Sequence, residues 1–162
     1  KKYWKENDVF FNCIGTTRQR AGGSKEFINI ESGISNEAAK MAANAKIPHA
    51  SLISAKGANH KIWAKDWIHP LLYIKTLGQK EQTIISDFSF NSVSIFKPGM
   101  LIRLRGKQTW LEDFSELKGF GLRVDTLASA MIYDAERVRL GLVGKSPQYF
   151  IGNNHIKNSL EL

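Results

Sequence analysis

A single cysteine, Cys13, means that no disulfide can form within this chain. It sits in the apolar run VFFNCIG, where a reduced core thiol is expected; a nucleophilic cysteine needs a nearby base and an electropositive setting, and neither adjoins it. The pattern fits a reducing compartment. No stretch of about 18 apolar residues occurs, so no membrane-spanning helix is expected. No signal peptide is seen either, but the first residue is Lys1 rather than methionine, and the expectation is a piece of a longer polypeptide. Prolines are few, at positions 48, 70, 98 and 147, and each falls at an expected element boundary. Repeats, low-complexity tracts and long linkers are lacking, which predicts a single domain over residues 1–162.

Several chemical signatures are also missing. A glycine-rich dinucleotide turn after a first strand is absent, and GFGLRV around Gly119 and Gly121 is only a fragment of one. GLVGKS at 141–146 has the tail of a phosphate-binding loop, but Arg139 stands where that loop needs glycine, and it follows a helix rather than a strand. His49, His60, His69 and His155 share no metal-ligand spacing with Cys13 or a carboxylate pair, so no metal is expected. No G-x-S-x-G elbow surrounds any serine, which argues against a hydrolase built on Ser54.

What remains is an ordinary globular composition, 43% hydrophobic and 23% charged, in a chain long enough to bury a core. The net charge of +8 favours acidic or phosphate-bearing partners. The densest basic cluster, Arg103, Leu104, Arg105, Gly106 and Lys107, reads as a solvated loop, since no nucleic-acid motif accompanies it. A nucleic-acid-binding domain, with strongly salt-dependent affinity, therefore ranks last among the functional readings.

Periodicity predicts alternating strands and helices. Residues 8–14 read as a strand buried on both faces, ending in Gly15. Residues 25–46 place Phe27, Ile30, Ile34, Ala38, Met41, Ala42 and Ala45 along one helical stripe, weakened at Gly33. A strand is predicted at 49–54, a loop at 55–67, and a helix opened by His69-Pro70 and running to about residue 86. A third strand follows at 92–97, stopped by Pro98-Gly99, then a helix at 125–139 with Asp125 as N-cap, and a last short strand at QYFIG. This is α/β: a Rossmann-like parallel sheet with flanking helices. Ligands of such sheets sit beyond the carboxyl ends of the strands. Those ends are Gly15-Thr16-Thr17-Arg18, Ser54-Ala55-Lys56-Gly57 and Pro98-Gly99-Met100-Leu101.

One constellation carries catalytic chemistry. A tyrosine on a helix is more often half-buried core, because a phenol with a pKa of about 10 is a poor acid–base group. A lysine at i+4 would lie on the same helical face and favour the phenolate. A serine at a neighbouring strand end could orient a carbonyl. Tyr73 and Ser54 have the right placement; Leu77 holds the position of the lysine.

The segments FFNCIGTTRQRAGG, KEFINIESGISNEAAKMAANAKI, HASLISAKGA, LLY…G and SVSIFKPGML occur in this order, and the chain resembles the Tat-interacting-protein family of atypical short-chain dehydrogenases/reductases, which includes a fungal mitochondrial branch. The likeness covers roughly residues 4–101 and continues weakly through RVDTLASAMIYDAERV. It implies a Rossmann-type domain binding NADP (NADPH), here without its first strands and glycine-rich turn, so that the sheet is incomplete at the N-terminus. It implies cofactor contacts at Ile14, Gly15 and Leu101, with Thr16, Pro98 and Gly99 at the same strand ends, and Tyr73 as the catalytic tyrosine. Ser54 and Ala55 match a Ser-Ser pair, so one hydroxyl of the two is kept.

The family pattern Tyr-x-x-x-Lys-Gly reads Tyr73, Leu77, Gly78 here. Lys75 lies about 200° around the helix, and Lys80 is on the same face but about 10 Å along the axis, so neither is expected to reach the phenol. The 55–72 loop is longer than the usual family loop and carries Trp63 and Trp67, for which local core is the default over a lid or partner surface. Two readings follow from the resemblance: an NADP-dependent short-chain oxidoreductase with weakened catalysis, or a non-catalytic NADPH-binding or protein-binding module related to regulators of transcription and nuclear import. The expected location is cytoplasmic, with nuclear and mitochondria-associated sites as alternatives.

Overall fold

A computed structural model describes residues 4–64, 69–102 and 121–161. Trp67, the basic cluster at 103–107 and Gly119 lie outside the described residues.

Four parallel strands form the main sheet: β1 (Val9–Asn12), β2 (His49–Ile53), β3 (Ser92–Lys97) and β6 (Gln148–Ile151), in the order β1-β2-β3-β6. Register sets Phe10 beside Ala50 and Ala50 beside Val93. The crossovers carry helices α1 (Arg18–Ala21), α2 (Ser24–Ile28) and α3 (Ser35–Asn44) after β1, α4 (His69–Ser86) after β2, and α5 (Val124–Arg139) before β6. This is the α/β Rossmann-like arrangement that the alternating pattern predicts.

Side chains alternate across each strand, so the sheet divides two cores. Phe10, Ala50, Leu52, Val93 and Ile95 pack against Ala39, Ala42 and Ile84 of α3 and α4. On the opposite face Phe96 packs with Leu127, Ala130 and Met131 of α5 and with Ile156. Phe150 stacks on Phe96, ring centroids 4.4 Å apart. His49, Ser51 and Ser94 also belong to that second face, by their two-residue spacing from Ile53 and Phe96.

Several expectations change. β1 is an edge strand of the described sheet: Phe10 and Asn12 are buried, whereas Phe11 and Cys13 are exposed. Cys13 is thus not core, and β1 is not buried on both faces. Ile34 and Met41 are exposed too, although helical spacing puts them on the buried stripe. The cause is a π-helical segment, Asn29–Ile34, between α2 and α3. Its wider turn shifts the buried phase to Phe27, Glu31, Ser35, Ala39 and Ala42, a spacing of about four rather than 3.6 residues. Asp125 lies inside α5, one residue past its start, with its carboxylate on Arg123 and on the Thr126 amide; Arg123 is the N-cap. Trp63 is 64% exposed rather than core. Three elements have no signal in the periodicity: the short parallel strands β4 (Met100–Ile102) and β5 (Gly121–Arg123), and the terminal helix α6 (Asn153–Asn158).

Candidate functional site

The carboxyl ends of β1, β2 and β3 meet the face of α4. Tyr73, Leu77, Lys80 and Glu81 fall on one stripe of that helix, because steps of three, four and seven residues return to the same side. Tyr73 is half-buried, its ring centroid 5.8 Å from that of Phe27 in α2. Leu77 is 3% exposed. Gly78 allows the 58–62 loop to lie directly on the helix: a Cβ there would run into the backbone of Asn59 and His60, and the Asn59 amide donates to the Ile74 carbonyl at 3.1 Å.

Beyond β1, the turn Ile14-Gly15-Thr16 is held from beneath. Lys80 Nζ donates to the Ile14 carbonyl at 2.6 Å, and the Thr16 amide donates to Glu31 Oε1 at 2.6 Å. Lys80 and Glu31 are themselves paired, Nζ to Oε2 at 3.4 Å. Burial pulls the Lys80 pKa down, and the Glu31 carboxylate opposes that pull. Gly15, exposed and without a side chain, leaves its backbone open to close approach.

Beyond β2, the Ser54 amide donates to the Phe96 carbonyl at 2.8 Å, continuing the ladder, and the Ser54 hydroxyl donates to Glu81 Oε1. Glu81 Oε2 accepts from Lys97 Nζ at 2.8 Å, and Lys97 also donates to the Ala58 carbonyl at 3.0 Å. The ammonium of Lys97 lies 6.0 Å from the Tyr149 ring centroid. Beyond β3, Pro98 accepts from the Lys56 amide at 2.8 Å, and the Gly99 amide donates to Asn153 Oδ1 at 2.9 Å. Leu101 is in β4, paired with Leu122 and packed on the second core.

The sequence-selected residues therefore divide. Ile14, Gly15, Thr16, Ser54, Pro98 and Gly99 all lie at the strand ends, and Tyr73 lies on the helix that grips two of them. Leu101 instead belongs to a separate two-stranded ribbon. Three charged residues have no place in the sequence-based expectations, Glu31, Glu81 and Lys97, and Lys80 enters them only as a stand-in for a lysine at position 77. Their signal was charge inside apolar surroundings, such as a lysine ending the SVSIFK strand. Among the described residues no group of three or more His, Cys, Asp or Glu could hold a metal ion, and no helix is long and apolar enough to cross a membrane.

No family model matches the chain. It is similar to the mitochondrial protein FMP52 of Meyerozyma guilliermondii, 31% identical over 131 residues, 81% of this chain and 53% of that protein. It is also similar to protein HTATIP2 of Rattus norvegicus, 29% identical over 76% of this chain and 47% of that protein. The chain thus spans about half the length of these relatives. In fold it resembles MoeE5, solved in complex with UDP-glucuronic acid and NAD, with a TM-score of 0.61 over 94% of this chain and 58% of that one, at 9% identity. The sequence likeness is thus to FMP52 and HTATIP2, and the likeness to the solved structure is one of Rossmann-like fold.

Proposed function

We propose that this chain is the C-terminal portion of a Rossmann-type, NADP-dependent short-chain oxidoreductase-like protein whose catalysis is weakened. The observation that carries the reading is the fate of the lysines. Position 77 holds a buried leucine, and the two lysines buried beneath the strand ends are committed elsewhere: Lys80 to Ile14 and Glu31, Lys97 to Glu81 and Ala58. Tyr73 keeps its place as proton donor but has no cation at i+4.

The strand ends fit a dinucleotide in one respect that can be checked on the chain itself: Gly15 offers bare, exposed backbone between two tied residues. Bound NADPH would supply the hydride. The chain's own residues would provide the rest: Gly15 and Thr16 the wall of the cleft, Gly99 and Pro98 its far side, and Tyr73 the proton. Leu101 would contact the nicotinamide end. The half of the relatives that this chain does not span would supply the phosphate-binding turn.

A second reading is a non-catalytic NADPH-binding or protein-binding regulatory module. What favours it is Ser54. Its one hydroxyl proton goes to Glu81, so a carbonyl approaching it would meet lone pairs instead of a donor. The relatives described as mitochondrial favour a mitochondria-associated location over a strictly cytoplasmic one.

The deciding experiment is NADPH titration and hydride transfer to small carbonyls with the full-length protein. Turnover that Tyr73→Phe abolishes and Leu77→Lys raises supports the oxidoreductase. NADPH binding without turnover supports the module. Absence of NADPH binding by the intact full-length protein sinks the oxidoreductase and the NADPH-binding module and leaves only a protein-binding one.

A further inference from the structure

Lys80 and Glu81 are adjacent in α4, and they hold the ends of two adjacent strands: Lys80 the turn after β1, Glu81 the serine after β2. Lys80 is 0% and Glu31 2% exposed. Burying two opposite charges is costly, and the mutual attraction repays it only when each also finds further hydrogen bonds. Here those further bonds both go to one turn of three residues. Lys80 takes the carbonyl at its start and Glu31 takes the amide at its end. A Cβ on Gly15 would stand 3.3 Å from Glu31 Oε1 and would press on that carboxylate.

We infer that Lys80 and Glu31 are positioning residues, a buried clamp that ties the Tyr73-bearing helix to the Ile14–Thr16 turn and sets the backbone surface offered to a dinucleotide. The ligand part of this inference rests on the function proposed above; the clamp itself does not. Because the turn and Tyr73 hang on the same helix, displacing the clamp moves the wall of the cleft relative to the phenol. The charge that α4 lacks at position 77 is therefore present one turn later, used to shape the cleft from below.

The test uses the full-length protein with Lys80→Met and with the uncharged double variant Lys80→Met/Glu31→Gln, which removes the unpaired buried carboxylate if the single variant does not fold. Amide hydrogen exchange at Thr16, whose amide the clamp holds, is compared with exchange at Leu52 and Ile95 in the central strands. Both variants are expected to speed exchange at the turn by about tenfold or more while the central strands change less. The double variant should bring Thr16 part of the way back, since a glutamine carbonyl can still accept its amide. NADPH Kd should rise by about tenfold in both. Exchange at the turn that merely follows the central strands overturns the clamp. Faster turn exchange with an unchanged Kd overturns its role toward the ligand. A wild-type protein that binds no NADPH defeats the proposed function, while exchange still decides the clamp.

Discussion

The hydroxyl of Ser54 donates to the carboxylate of Glu81, and the second oxygen of that carboxylate holds Lys97 at 2.8 Å in a buried setting. Removing the middle member strands an ammonium away from water. Glu81→Ala should therefore lower unfolding free energy by about 3–5 kcal/mol, whereas Ser54→Ala, which takes away one hydrogen bond, should cost about 1–2 kcal/mol. Urea unfolding of the two variants checks the order. Equal losses would mean that Lys97 finds a substitute partner and that the network is not centred on Glu81.

The backbone of this fold was readable because its signals are local. Helix His69–Ser86 and strand Ser92–Lys97 match expectation at both ends, since proline opens the first and Pro98-Gly99 closes the second. What was not readable depends on more than local order. A uniform spacing of 3.6 residues places Ile34 and Met41 in the core, but the segment Asn29–Ile34 widens into a π-turn and both are exposed. The apolar neighbours of Cys13 suggest an internal position, whereas in the described sheet β1 is the edge strand and Cys13 is exposed. At the site, the spacing of Tyr73 and Leu77 was visible, but the partners of Lys80, Glu81 and Lys97 are 49, 27 and 16 residues away along the chain. No window along the sequence brings such pairs together.

Leu77 is 3% exposed, so Leu77→Lys buries an ammonium without a partner. The variant should lose on the order of 3 kcal/mol in the absence of ligand. If a ribose occupies the space above α4, bound NADPH would offer hydroxyls to that lysine, and saturating ligand should stabilise the variant more than wild type. At about 100 times Kd the ligand contribution alone is roughly 2.7 kcal/mol. Thermal unfolding of the full-length protein with and without NADPH measures this. An equal ligand shift in both proteins would count against a cofactor ribose near position 77.

Gly78 is where the loop after Ser54 crosses α4. The clash that a Cβ would make is with main-chain atoms of Asn59 and His60, which cannot rotate away as a side chain can. Gly78→Ala should thus cost about 1–3 kcal/mol despite the better helix propensity of alanine. It should also loosen the Asn59 amide, which donates to Ile74 in the same contact. Hydrogen exchange at Asn59 and urea unfolding test this. A stabilised variant, as helix propensity alone would give, would show that the loop lifts off freely.

His49 and Asp134 form a buried pair on the sheet face covered by α5, Nε2 to Oδ2 at 3.7 Å, while His49 Nδ1 lies 3.2 Å from the Ser92 carbonyl. Burial pulls the His49 pKa below its ordinary 6.5, opposed by the Asp134 charge and the Ser92 carbonyl. Burial pushes the Asp134 pKa above its ordinary 3.8, opposed by His49 and Arg137. The other charged groups nearby are Asp8 and Arg139, which with His49 line a cavity of about 440 Å³ at the amino ends of the strands. The two shifts act in opposite senses. A depressed histidine leaves the native state with fewer protons than the unfolded chain, so its contribution to stability is lost as pH falls below 6.5. A raised aspartate leaves the native state with more protons, so its contribution is lost as pH rises from 3.8 through the folded value. In wild type they partly cancel. Asp134→Asn removes the second contribution and also the carboxylate that supports imidazolium. Its stability should therefore fall more steeply than that of wild type between pH 7 and pH 5, by about 1 kcal/mol. The comparison is of slopes, so the fixed cost of the substitution drops out. Urea midpoints at the two pH values suffice, and parallel slopes would show that the pair does not share a proton.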